Sequence, residues 1–530
     1  MGDSAVAKAA VLLSGLSHQR RDPVRQLRQP SGMRRFRQKY KSARKEMGAV
    51  DHWQDVRVGI AVSCQLAGRI KMLAHLLKAN KLQSLSLSGE TIGDAGARMV
   101  GAAIEGSTVL RSLAMSNVGL GAGGARVLAP SLASCSALTS LDLSHNRRVG
   151  AQGAAAIALA FVPQARGHGS DEHFGSEGVG RSAGGGSKGA AGAGTGGGQN
   201  LTSLSLSHCN VRDGGARALA ALLSADTVPL VELDLGSCGV CDAGAKALAQ
   251  AMRATSTHRV LRLGGNRIAD AGASALAMAL EMGALERAAD RGAGERARGL
   301  GTLDLTLNRI GDQGTCRLLS ALSGNSELHT LLLSSNLIGS GIGGQPLEAT
   351  LVHNSALTLL DLSNNCVADD EAGGLFDALQ RCAGLVTLNL SNNCFGEESA
   401  VALAAALPKM LRLRELDLHG NMLRDNGAWL LGEALARCLR LRVLNLGSND
   451  IGDAGAWSVV KQLTQDATLT TLNLSANIIT STGAQLLATL LATGACRAHI
   501  CLKANPIGAI GVHALCDSAN TPELQLEHFV

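Results

Sequence analysis

Aromatic residues are nearly missing from this chain, whose 530 residues hold six Phe, three Trp and one Tyr. A core must then be assembled from Leu, Ile, Val and Ala in thin layers, which disfavours sandwiches and large enzyme barrels built around aromatic anchors. Long apolar runs are missing as well. No stretch of eighteen apolar residues occurs, and a membrane-spanning helix needs about twenty, so no membrane span is expected. Paired cysteine spacing is also lacking. The thirteen cysteines are an odd number that suits a reducing compartment better than a disulfide framework, and a cytoplasmic protein is expected, with the nucleus as the alternative. Cys238 and Cys241 form a C-x-x-C, but no second pair or nearby His completes a zinc set. No G-x-x-x-x-G-K-[ST] occurs either, since Lys188 follows Ser187 in the reverse of the order a phosphate loop needs. No metal, cofactor or enzymatic activity is expected.

Acidic residues are scarce at one end only. Residues 1–50 carry twelve Lys and Arg against three Asp and Glu, a net of +9, which leaves −3 for residues 51–530. Arg34, Arg35, Arg37, Lys39, Lys41, Arg44 and Lys45 fall within twelve residues, too repulsive to pack without an acidic partner. Residues 1–48 therefore read as a basic, disordered arm. Three uses fit it: targeting or weak nucleic-acid contact, an organelle transit peptide, and binding to the chain's own acidic surface, for which Met33, Phe36 and Tyr40 offer an apolar edge at helical spacing. Trp53, Val56, Ile60, Leu66, Ile70, Leu73 and Leu77 then predict a helical cap over 49–80.

What the chain has in abundance is a period. From Leu82 the pattern Leu-x-x-Leu-x-Leu-x-x-Asn recurs fourteen times, with first positions at 82, 110, 138, 201, 230, 258, 300, 328, 357, 385, 413, 441, 469 and 497. We number the repeats one to fourteen in this order, and number positions within each from its first residue. Most steps are 28 or 29 residues; the two longer ones mark a Gly-rich insert at 164–199 and a short insert at 286–299. Each unit predicts a short strand, a turn and a helix. The first, fourth and sixth positions face one way, and a stretch such as Asp270–Leu280 reads as a helix with Asp270 as its N-cap and Ala273, Leu276 and Leu280 as its buried stripe. The ninth-position Asn, present in ten repeats and replaced by Cys209 and Cys238 in two, supplies amide donors and an acceptor where the chain turns away in a crowded interior.

This pattern resembles leucine-rich repeat proteins of the ribonuclease-inhibitor-like subclass over roughly residues 81–528, within an array spanning 81–530. Its spacing is similar to that of Ran GTPase-activating proteins and NOD-like receptors, and to that of several cytoskeletal or axonemal scaffolds. The resemblance implies an α/β solenoid, a horseshoe with parallel strands on the concave face and helices on the convex one.

Once the period is imposed, several apparent motifs become ordinary repeat positions. Gly119, Gly121 and Gly124 make a G-x-G-x-x-G in the turn of repeat two, and His145, His208 and His419 lie in different repeats with no shared nucleophile. One constellation remains. The fifth position points into the concavity and carries Asp142, Asp234, Asp304, Asp361 and Asp417, with Asn389, Asn445 and Asn473; Arg262 is the one basic interruption and Leu332 the apolar one. A row of carboxylates in a groove raises the local negative potential and attracts a basic partner. The expected function is a non-enzymatic scaffold that binds another protein through this face, the alternative being an activator or regulator of a Ran-type small GTPase.

Overall fold

The computed structural model describes residues 82–162, 200–224, 228–253, 257–289, 299–342, 351, 354–438, 440–463, 468–492 and 498–518. The expected arm (1–48), cap (49–80) and Gly-rich insert (164–199) lie outside the described residues.

Fourteen strands form one parallel sheet in strict sequence order, from Ser84–Ser86 to His499–Cys501. Every strand is three residues long, covering positions three to five, and each pairs with the same position of its neighbour, as in Leu85↔Leu113 and Leu472↔Ile500. A one-residue slip would turn the fourth-position leucines outward, so the apolar pattern fixes this register. The strands stop early because the eighth residue is left-handed in all fourteen repeats, with φ between +52° and +83°. Only three of these residues are glycine. Leu307, at φ 55°, is held there because its amide donates to the Ser334 carbonyl of the next repeat at 2.8 Å, which offsets a cost of roughly 1–2 kcal/mol for a non-glycine residue.

Behind the strands lie the helices, typically 10–13 residues long, among them Asp242–Arg253 and Ser481–Leu491. Repeat eight has the short 3-10 turn Ser340–Ile342 at the place where the others begin a helix. The helix Asp270–Ala289 runs to 20 residues and carries the chain into the short insert. Leucines at positions one, four and six and the helix stripes form a continuous core; Leu276 and Ala273 are fully buried and Leu280 nearly so. Each repeat packs mainly on its neighbours, as the sequential helix and strand contacts show, so stability is close to a sum of repeat and interface contributions. Small residues let adjacent helices close up: a Cβ at Gly272 would lie 2.6 Å from Asp242 Oδ1 and 3.1 Å from Asp242 Cα of the preceding repeat.

Two polar ladders tie the repeats together. In the inner one, Asn477 Nδ2 donates to the carbonyls of Leu446 and Leu474 at 2.9 and 3.0 Å, while Oδ1 accepts from the amides of Asn449 and Ile451 at 2.8 and 3.0 Å. Asn146 and Asn266 repeat the scheme, and Asn308 repeats it with one accepted bond, from the Ile268 amide. Each amide thus satisfies its own repeat and the one before it.

The outer ladder corrects the expected role of Asp270. This residue begins its helix rather than preceding it, and its Oδ1 accepts from the amides of Gly311 and Gly314, at 2.7 and 3.0 Å, at the start of the next repeat's helix. The same step recurs from Asp213 to Cys241 and Gly244, from Asp242 to Ala269 and Gly272, and from Asp425 to Gly452 and Gly455. A carboxylate there meets amides left without helical partners at the positive end of the helix dipole. It acts on the following helix because close stacking brings that terminus nearer than its own. Gly121 and Gly124 of the apparent nucleotide motif belong to this scheme: Gly121 donates to Asp94 at 2.6 Å, and a Cβ on Gly124 would meet Asp94 Oδ1 at 2.5 Å.

Candidate binding surface on the concave face

Because the strands pair position for position, the fifth residues form one row. Asp142 lies beside Ser205, then Asp234, Arg262, Asp304, Leu332, Asp361, Asn389, Asp417, Asn445 and Asn473. All are partly exposed, Arg262 the most. The structure therefore brings together every residue of the expected stripe.

These side chains also have a local duty. Oδ1 of each Asp or Asn accepts from the amide two residues on: Ser144 to Asp142, Gly236 to Asp234, Thr306 to Asp304, Ser363 to Asp361 and His419 to Asp417, all at 2.9 Å. Asn389, Asn445 and Asn473 do the same at 3.1, 3.1 and 2.9 Å. This is an Asx turn, which starts the chain away from the strand and explains why aspartate or asparagine recurs. Oδ2 of Asp234 is engaged by Ser205 at 2.9 Å. Among the described residues, Oδ2 of Asp142, Asp304, Asp361 and Asp417 accepts no hydrogen bond and stays open to solvent.

Other members of the surface were not visible in the fifth-position reading. Glu232 and Glu415 stand at the third position, where the same period places them on the same face; Glu232 forms an ion pair with Arg262, which neutralises the one basic interruption. Leu359, also at a third position, sits diagonally beside Leu332. Leu307 and Leu337, 60% and 64% exposed, follow in the turns of repeats seven and eight. The middle of the array therefore carries an apolar island with Asp304 on one side and Asp361 on the other. Scanning the third, eighth and tenth positions for leucine would have found it.

The histidines do not form a shared catalytic group. His145, of repeat three, stacks on His208, of repeat four, at 4.3 Å with planes 14° apart, whereas His419 stands in repeat eleven. Burial first, then the positive neighbours His145 and Arg147, hold the His208 imidazole below its usual range. With Arg147, Arg148 and Asn117, His145 lines an open cleft of about 580 Å³ at the turns of repeats two and three. Among the described residues no group of three His, Cys, Asp or Glu is placed to hold a metal ion, and no helix is long and apolar enough to cross a membrane.

A leucine-rich repeat family model matches eight segments: 134–158, 199–220, 229–249, 259–277, 300–314, 382–404, 438–458 and 465–488. These units are leucine-rich repeats. The leucine-rich repeat array is similar in structure to an internalin from Listeria monocytogenes, at 16% identity over 85% of this chain and 92% of that one, with a TM-score of 0.42. It is similar also to a chain of the Rad7 and Elc1 complex of yeast, at 14% identity over 84% and 91%, TM-score 0.39. A third is the ectodomain of the Arabidopsis receptor kinase HAESA, solved with a peptide hormone, at 16% identity over 82% of this chain and 55% of that one, TM-score 0.39. No curated protein matches the chain.

Proposed function

We propose that the chain is a non-enzymatic protein-binding scaffold whose concave face takes a partner segment combining basic side chains with an apolar anchor. One observation carries this. Asn389, Asn445 and Asn473 make the same turn as the aspartates, so the turn needs the side-chain oxygen and not the charge. Asp142, Asp304, Asp361 and Asp417 keep a charge the fold does not require, each with an oxygen facing the groove. The island of Leu332 and Leu359 lies between two of these carboxylates, the arrangement of an apolar anchor site inside a polar rim. At roughly 4.8 Å per strand the inner arc is on the order of 65 Å long, enough for a standard interface.

The 28- or 29-residue steps and regular helices support placing the repeats in the ribonuclease-inhibitor-like subclass. The alternative is an activator or regulator of a Ran-type small GTPase, and single-turnover GTP hydrolysis with a panel of small GTPases separates that role from simple binding. The direct test captures partners on the wild-type chain and on a variant carrying Asp304→Asn, Asp361→Asn and Asp417→Asn. Asparagine retains the turn, so a folded variant that has lost the captured basic partners supports the reading. Undiminished capture by that variant rules the stripe out.

A further inference from the structure

In-register repeats set equal positions side by side, and cysteine falls at equal positions of adjacent repeats twice in a form that invites comparison. Cys209 and Cys238 fill the ninth position of repeats four and five. Both are fully buried, and their thiols donate to the carbonyls of Leu143 and Leu206 at 3.1 and 3.0 Å. Burial pushes the Cys209 thiol up to about 12 and raises that of Cys238. This pair is spent on the ladder and shielded from reagents.

Cys366 and Cys394 fill the tenth position of repeats nine and ten, one residue past the ladder asparagines Asn365 and Asn393. Cys366 is exposed, Cys394 is half-buried, and both are free thiols. Their relative placement is pinned on both sides. Two residues earlier, Asn392 Nδ2 donates to Asn364 Oδ1 at 3.1 Å, and the Cys394 amide itself donates to the Val367 carbonyl, next to Cys366, at 2.9 Å. The parallel bridge at this point pairs Cys394 with Ala368, so Cys366 lies diagonally across from Cys394, two residues off register on the adjacent repeat, and a disulfide requires the two Cα atoms to come within roughly 4.4–6.8 Å.

We propose that Cys366 and Cys394 form a redox-active vicinal dithiol that closes to an intrachain disulfide when a hydroperoxide reaches it. One thiolate attacks a peroxide oxygen: an S–O bond forms, the O–O bond breaks, and the leaving oxygen departs protonated as water or an alcohol. The second thiolate attacks the resulting sulfenic sulfur, so that an S–S bond forms, the S–O bond breaks, and the hydroxyl leaves as water. The two thiols give up two electrons and the peroxide takes them. A small-molecule thiol reverses the step by exchange. The closed bridge staples repeats nine and ten beside Asp361 and Asn389, and this chemistry holds whether or not the concave face binds a partner.

The test uses the full reduced chain. It is treated with an equimolar amount of hydrogen peroxide, alkylated, digested and read by mass spectrometry; separately, unoxidised chain is titrated with phenylarsine oxide, which bridges neighbouring thiols. The expected results are a cross-linked peptide pair containing Cys366 and Cys394, reversed by dithiothreitol, and a tightly bound arsenical that shields both residues from alkylation. Cys366→Ser and Cys394→Ser, each at a surface position, abolish both signals, whereas Cys238→Ser changes neither. Oxygen addition at Met422, which shares the tenth-position row, is resolved in the same digest. Peroxide that yields only separate sulfinic acids, or arsenical binding that survives Cys366→Ser, overturns the proposal.

Discussion

The ninth-position row and the fifth-position row are built from the same side chains four residues apart, yet they do different things. Asn421 is 5% exposed and its amide reaches the carbonyls of Leu390 and Leu418 at 3.2 and 2.9 Å, while its oxygen serves the Phe395 amide. Its polar capacity is spent inside the array. Asp417, in the same repeat, gives one oxygen to its own turn and leaves the other to solvent. Periodic polar residues are therefore no guide to function by themselves. The bonding capacity left over after the fold is satisfied is the better guide, and it is full in one row and open in the other.

The largest expected break comes from the interior row. Asn421→Ala strips two donors and an acceptor from buried backbone that has no water to replace them, at about 1–3 kcal/mol. Chemical denaturation should show the loss, and hydrogen exchange should rise first around residues 413–441, while partner capture by the folded fraction stays as in wild type.

An interior position of another kind sharpens the contrast through pH. His258 stands where twelve of the other repeats have a first-position leucine, is 7% exposed, and has no partner for Nε2. Burial first, with Arg259 adding to it, pulls its pKa down to about 4. The unfolded chain, near 6.5, then binds more protons than the folded one between those values. Stability should accordingly rise from pH 4 to about 6.5 and level off above. His258→Leu should remove that slope and stabilise by about 2 kcal/mol at pH 5, read as a flattened profile of melting temperature against pH.

The outer ladder predicts a smaller effect of opposite sense. Desolvation alone would raise the Asp369 pKa, but hydrogen bonds from the Ser399 hydroxyl and the amides of Gly396, Ser399 and Glu398 outweigh it and hold the carboxyl below its usual range. A depressed folded value gives stability that is present above the unfolded pKa of about 3.9 and lost as pH falls through the folded one. Asp369→Asn should cost about 1 kcal/mol at neutral pH and blunt acid unfolding below about pH 4, as measured by denaturant midpoints at both pH values.

Smallest of all should be the stability change on Asp361→Asn, within about 0.5 kcal/mol, because Asn389 shows in the neighbouring repeat that the amide makes the same turn. A melting temperature well below wild type would mean that the charge belongs to the fold and not to the surface.

The period of the chain was enough to read the strands, the helices, the sheet order and the inner ladder. One pattern copied fourteen times leaves a single register that buries all its leucines, and Asn477 or Asn146 is recognisable from its place in that pattern alone. The stripe was legible for the same reason, as a matter of which residues share a row. Which atoms of that row remain free was not, because Asp234 Oδ2 is taken by Ser205 and Arg262 by Glu232 through contacts between repeats. The helix caps were hidden likewise. Asp242 and Asp270 cap amides 27 and 41 residues on in the chain, a difference set by the insert, though the bonds are alike in space. Sequence fixes what recurs along the chain; the close stacking of one repeat on the next decides which neighbour each side chain meets, and so left Cys366 and Cys394 accessible in their turns while locking Cys209 and Cys238 in the core.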